Sequence, residues 1–494
     1  MKHSKPFVLE AAALLTALSR PSHIFQRIDF APCRASASIH RHIAQLCSWG
    51  LNHLSPRCNS NYFGFHGLLL VTASLSLTAQ ANDIVPAPKQ TQAILLQDAT
   101  VHTVTNGVLK DTDVLLVDGK ISAIGADLAV PAGAQVLSLQ GKQLYPGLVA
   151  LANQLGLTEI EAVRSTDDTT EVTNTNPDVK AMVAYNADSE VVPTIRANGF
   201  SYSLVYPNGA LLMGQSALVQ LDAWNWTDAT VVDSVALHIK WPRADVMPNP
   251  WRPQKPEEIR KASQKAMAEL DGYFKTAKAY ADAVDKGVKL PVDSRWQAMI
   301  PVFKGELPVF VHANDQRQIE QAMKFSQQYG FALTIVGGRD SWRVAPELAA
   351  AKVSVIYTSP YGIPERSDEA SSQSFQTPAQ LAKAGVRFAL SLDGYWDTRN
   401  VVFAAGQAIS YGLSPEQALR SVTLDAAAIA GVADKIGSIE VGKAATLVVS
   451  DGDIFDYLGH KVRYMWIDGR AVDLNSRHKQ LHDKYQQRYQ AKSQ

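Results

Sequence analysis

Several short apolar runs end on residues that can carry chemistry. VALHI is followed by Lys240, PVFV by His312 and FALSL by Asp393. An imidazole and a carboxylate are groups suited to moving protons at neutral pH. After TIVGG stand Arg339, Trp342 and Arg343, whose guanidiniums could grip a carboxylate. Tyr357 and Tyr361 accompany KVSVIY, and Tyr395, Trp396, Asp397 and Arg399 follow Asp393. An aromatic, guanidinium-rich rim of this kind suits an amino-acid-like or peptide-like ligand. Plainer readings stand beside these. Asp393 before Gly394 fits a turn, His312 fits a core histidine bonded to a neighbouring strand, and exposed loops often hold such residues by chance.

The elements that must position these groups follow from the apolar pattern. ELPVFVHAND, FALTIVGGRD, KVSVIYTSP and VRFALSLDG read as four short strands, separated by helical segments at 316–328, 342–350 and 377–384. Strand, helix, strand in that rhythm predicts parallel βαβ units. Residues 255–286 read as one long helix. Ile259, Ala262, Ala266, Leu270, Tyr273, Ala277, Tyr280 and Val284 fall three or four apart, with Pro256 in the first turn. The polar stretch 159–176 reads as a long loop at a strand end.

The two ends of this region look different. AILLQDATVHTV, DVLLVDGKISAIG and AQVLSLQGKQLYPGLV are short strands punctuated by glycine and proline, and Asp118-Gly119 is a hairpin signal. KIGSIEVGKAATLVVSDGD and VRYMWIDGRAV repeat that character near the far end. The two sets are expected to pair with each other.

Three stretches resemble the amidohydrolase superfamily: YPGLVALANQLGL at 145–157, FSYSLVYPNGALLMGQSALVQL at 200–221, and IGSIEVGKAATLVV at 436–449. The second is similar to the periplasmic, imidazolonepropionase-like branch. The resemblance implies a (β/α)8 TIM barrel carrying a small β-sandwich built from the N- and C-terminal segments. It implies a divalent metal, zinc above all, with His312 a ligand, Asp393 a ligand that also takes the proton of the attacking water, and Lys240 a further ligand. It places the remaining ligands at Ala152, Gln154 and Gly337, none of which is a histidine here. Thr446 stands where the family has Asp. A catalytic zinc generally takes three protein ligands and one open position, so the resemblance implies an amidohydrolase of non-peptide or cyclic amides with a degenerate metal site. The alternative is a non-catalytic binding protein, or a subunit pairing with an intact homologue. The partners expected are a small amide-like or peptide-like substrate and a homo-oligomer or homologous hetero-partner.

The remaining features bound the setting. Hydrophobic residues make up 46% and charged residues 19% of 494, enough for a substantial core. Residues 1–81 hold seven Lys/Arg and two acids, leaving 40 basic against 45 acidic residues in the rest. A mildly acidic body gives no electrostatic footprint for nucleic acid. Cys33, Cys47 and Cys58 all precede residue 81, so the body needs no disulfide and suits an oxidising compartment. The apolar run at 68–77, followed by Ala79-Gln80-Ala81, reads as the core and cleavage site of a secretory signal; it is too short to span a bilayer. Export is expected, to the periplasm if the source is Gram-negative, with no membrane span in the mature chain. The organisation predicted is a presequence at 1–81 (1–60 being a misassigned start), sandwich strands at 82–147 and 433–475, barrel at 148–432, and a helical tail at 476–494. His40 and His42 form the one His-x-His, within the presequence, and His478 and His482 sit four apart on the tail helix; both pairs are read as non-functional.

Overall fold

The computed structural model describes residues 85–209, 211–244, 254–367 and 369–490. The signal region at 68–81 and the pair His40 and His42 lie outside the described residues. Five strands come first: β1 (Ile94–His102), β2 (Val108–Val117), β3 (Lys120–Gly125), β4 (Gln135–Ser138) and β5 (Gln143–Pro146). Then come β6 (Leu148–Asn153), β7 (Phe200–Val205), β8 (Leu212–Gln220), β9 (Thr230–Lys240), β10 (Val309–Ala313), β11 (Leu333–Gly337), β12 (Ser354–Tyr357) and β13 (Phe388–Leu390). The strands β14 (Leu447–Ser450), β15 (Val462–Ile467) and β16 (Arg470–Ala471) follow.

The two ends pair as their patterning predicts. β14 lies antiparallel to β5, from Leu447 opposite Pro146 to Ser450 opposite Gln143. Where a sandwich was expected, the strands of the two ends form one sheet, ordered β16-β15-β14-β5-β1-β2-β3 with β4 also on β1. Its core gathers Leu96, Val101, Leu116, Leu144, Leu447 and Trp466. Asp118 and Gly119 turn the β2–β3 hairpin with φ of 49° and 75°, the left-handed pair that Asp-Gly tolerates.

The second sheet runs β13-β12-β11-β10-β9-β8-β7-β6 and is nearly closed. One feature departs from the expected (β/α)8 pattern: β8 is antiparallel to both β7 and β9. The connections from Val205 to Leu212 and from Gln220 to Thr230 are too short for a parallel crossover, which takes about a dozen or more residues. Each strand must therefore double back. Across the seam, Ser391 Oγ donates to the Leu151 carbonyl. Alternation sorts the side chains: Leu151, Leu204, Leu218, Ala236, Phe310 and Ile356 fill the barrel interior, while Ala150, Val205, Leu237, Val309 and Val355 pack outward with the helices.

The long helix spans Pro256–Asp285, but its buried face is Leu270, Phe274, Ala277 and Ala281. The predicted stripe is rotated by one residue beyond Leu270, and Val284 is exposed. Phe274 causes this, packing on Phe325 (4.9 Å between ring centres), Tyr329 (5.1 Å) and Phe331 (5.7 Å). The tail helix Arg477–Gln490 buries no residue. Among the described residues, no helix is long and apolar enough to cross a membrane.

A buried ion cluster joins the two sheets. Asp222, just beyond β8, accepts from Arg196 Nη1 (2.7 Å), Arg470 Nη1 (2.7 Å) and the Ala87 N–H (3.0 Å). Removing one member of a buried pair strands the other charge and costs about 3–5 kcal/mol. Asp222→Ala is therefore expected to lower urea-unfolding stability by about that much. Asp282→Ala, which breaks the exposed pair to Lys278, should cost under about 1 kcal/mol.

Candidate functional site

β9 and β10 run parallel with Lys240 beside His312 and His238 beside Phe310. Residues two apart on a strand share a face, so His238, Lys240 and His312 face the barrel axis near the C-terminal ends of their strands. A cleft of about 470 Å³ opens there, and Tyr206, Lys240, His312, Asn314, Thr358 and Asp393 line it. Mouths at this end are where such barrels keep their active sites.

Two imidazoles meet at the cleft floor. His238 Nδ1 and His312 Nε2 share a hydrogen bond of 2.8 Å. Tyr206 stacks on His238, with ring centres 5.0 Å apart and planes 7° apart, and leans on His312 at 4.8 Å. His238 is fully buried, and its Nε2 has no partner among the described residues. Burial, then the neighbouring His312, pushes the His238 pKa well down. Burial, then the Lys240 charge, pushes that of His312 down to about 3. Burial thus favours the neutral form of both rings. Burial raises the Asp393 pKa, opposed by a hydrogen bond from Thr358. Desolvation thus moves the carboxyl toward the range of a useful base and keeps the imidazoles uncharged.

The cleft gathers Lys240, His312, Asp393, Gly337 and Arg339. It does not gather the rest of the predicted rim. Arg339 is held by Asp340 and Glu365. Trp342 and Tyr357 line a separate small cavity, and Arg343 lies on the Trp342 ring at 4.4 Å. The Tyr357 hydroxyl donates to the Ser359 and Ser374 carbonyls, both at 3.0 Å. Tyr395 donates to the Glu159 carbonyl, and Trp396 packs on Arg399 and His478. Tyr357 packs outward from β12, while Trp342, Tyr395 and Trp396 lie in the segments beyond β11 and β13, where they tie loops and helices together. His238 and Tyr206 were missed by sequence reasoning. The signal for His238 was available: in VALHIK it sits two before Lys240, on the same face.

Zinc is the metal that the resemblance implies for this cleft. Among the described residues, no group of three or more His, Cys, Asp or Glu is placed to hold a metal ion. Ala152 is buried at a left-handed φ of 52°, and neither it nor Gln154 lines the cleft. Asn153 Oδ1 is occupied, accepting from Ser203 Oγ (2.9 Å) and the Leu155 N–H (3.0 Å). At Gly337 (φ 100°), a Cβ would lie 2.5 Å from Asn314 Oδ1. The donors present do not fit a zinc centre of three protein ligands.

The family model described as "Amidohydrolase family" matches residues 328–472. The chain is similar to the amidohydrolase tasK of Hapsidospora irregularis, with 22% identity over 405 residues, 73% of this chain and 39% of that protein. It thus spans about two fifths of that relative's length. A crystal structure of an amidohydrolase from Thermotoga maritima MSB8 superposes with a TM-score of 0.68 at 26% identity, covering 77% of this chain and 99% of that one. A prolidase crystallised with N-methylphosphonate-L-proline reaches 0.48 at 17% identity, covering 77% and 100%.

Two outcomes are expected. Gly337→Ala should cost about 1–3 kcal/mol, because an alanine is strained at that φ as well as crowded by Asn314; thermal unfolding measures it. With folded pKa values below the ordinary 6.5, His238 and His312 stay unprotonated while the unfolded chain takes up protons. Stability should therefore fall as pH drops through 6.5 toward about 3. Urea midpoints measured from neutral pH downward should show this slope, and His312→Gln should flatten it.

Proposed function

We propose a function from one premise: this chain belongs to the amidohydrolase superfamily. In this reading it is an exported protein of the imidazolonepropionase-like kind that hydrolyses a C–N bond in a small amide or cyclic amide. One observation carries it: His312 and Asp393 line a single cleft at the barrel mouth. Asp393 takes a proton from water as the water oxygen bonds to the amide carbon. The carbonyl electron pair moves onto its oxygen, where the Lys240 ammonium meets the developing charge. When the C=O bond re-forms, the C–N bond breaks, and Asp393 returns the proton to the departing nitrogen. Burial favours this role, since it lifts the carboxyl toward working pH.

A second reading is favoured by Gly337, which offers no ligand and where a Cβ would lie 2.5 Å from Asn314 Oδ1. In that reading the cleft binds a ligand without turning it over, alone or as the partner of an intact homologue.

The test uses the 82–494 form with a panel of N-acyl amino acids and cyclic amides, alongside elemental analysis for bound metal. Hydrolysis that drops by about 10²–10⁴-fold in Asp393→Asn supports the first reading. A ligand that raises the melting temperature of wild-type protein without being consumed supports the second. Hydrolysis that survives Asp393→Asn overturns the assignment of the base.

A further inference from the structure

We propose that Gln318 is a positioning residue for the cleft. Its side-chain amide stands between β9 and β10 as a spacer, where a direct backbone hydrogen bond would otherwise draw the wall together. The effect on turnover rests on the hydrolytic reading above; the spacing itself does not.

β9 and β10 form a regular parallel ladder from Leu237 opposite Val309 to Lys240 opposite His312. The Trp241 N–H continues it, donating to the His312 carbonyl at 3.1 Å. In a parallel ladder the next bond would run from the Asn314 N–H to the Trp241 carbonyl. Here the Asn314 N–H donates instead to Gln318 Oε1 at 3.1 Å, and Gln318 Nε2 donates to the Trp241 carbonyl at 3.3 Å. One side-chain amide is thus inserted where a single rung belongs. The same Oε1 accepts the Asp315 N–H, and the same Nε2 donates to the Pro242 carbonyl, both at 3.1 Å. All four partners are backbone groups of fixed role, so the amide can face only one way.

Gln318 also closes a capping box with Asp315 at the start of the helix Gln316–Tyr329. That duty uses only the bond from the Asp315 N–H, and a glutamate would serve it equally well. A glutamate has no N–H to give to Trp241 and Pro242, so the strand end is what calls for an amide. The helix holds that strand end firmly. Gln321 Oε1 accepts the Trp241 Nε1–H at 3.1 Å, and Phe325 meets the indole edge-on with ring centres 5.4 Å apart. Residues 318, 321 and 325 lie on one helix face. Trp241, Asn314 and Gln318 line the same cleft as His312 and Asp393. The spacer therefore sets the width of this wall, and with it the bulk of the group that a ligand can lodge there.

Crystal structures of the wild type, Gln318→Ala and Gln318→Glu test the spacing. In Gln318→Ala the gap should close, with the Asn314 N–H bonded directly to the Trp241 carbonyl at about 2.9 Å. In Gln318→Glu, which keeps the capping box, a carboxylate facing two carbonyls should push Trp241 and Pro242 outward. Kinetics test the consequence. The ratio of KM for a bulky N-acyl amino acid to KM for the N-acetyl compound should rise about tenfold in Gln318→Ala. A general loosening of the fold would move both values alike. A wild-type crystal in which Asn314 bonds Trp241 directly, strand ends unmoved in both variants, or an unchanged KM ratio overturns the proposal. If the alanine variant does not fold, the glutamate variant decides. If the wild type hydrolyses no amide, the hydrolytic reading fails, and the crystal structures alone decide the spacing.

Discussion

One buried carboxylate, Asp222, holds three distant parts of the chain in register. The barrel and the terminal sheet are separate hydrogen-bonded sheets, packed together through one apolar cluster that takes Tyr145, Val448 and Ile467 from one and Leu148, Leu237 and Val309 from the other. Asp222 receives a guanidinium from Arg196, just before β7, another from Arg470 on β16, and the backbone N–H of Ala87 ahead of β1. Arg196 Nε and Nη2 are buried without partners, which leaves Asp222 the one carboxylate hydrogen-bonded to that cation among the described residues. A charge cluster of this kind adds little net stability when intact. It does fix how three distant parts of the chain meet, since any other arrangement would strand two cations in the interior.

With the frame fixed, the cleft follows from alternation. β9 and β10 each place an imidazole on the inward face, at His238 and His312, while Lys240 completes the inward row. Desolvation then does chemical work in opposite directions on two residue types. It holds the imidazoles neutral and lifts the carboxyl of Asp393. The His238–His312 hydrogen bond and the Lys240 side chain border the cleft beside that carboxyl.

Much of this was legible in the sequence. The four strands from β10 to β13 and the pairing of the two chain ends follow from apolar runs, glycine turns and motif order. So does the placement of His312 and Asp393 in one cleft. The antiparallel β8 was not foreseen, because an apolar run carries no direction; only the short connections on either side constrain it. The aromatic rim is placed differently from the expectation for a related reason. Tyr357 and Tyr395 follow apolar strands, as cleft residues do, but their hydroxyls find backbone carbonyls elsewhere. His238 was passed over because a histidine inside an apolar run reads as core, which it also is.

Position 337 has an evolutionary corollary. Its φ of 100° strains any side chain, and a Cβ there would lie 2.5 Å from Asn314 Oδ1, so an imidazole at 337 requires that amide to swing aside. The same Oδ1 accepts the Arg339 N–H. A histidine on that strand would therefore carry both a strained backbone and a loosened loop, so a single exchange there changes more than one donor atom.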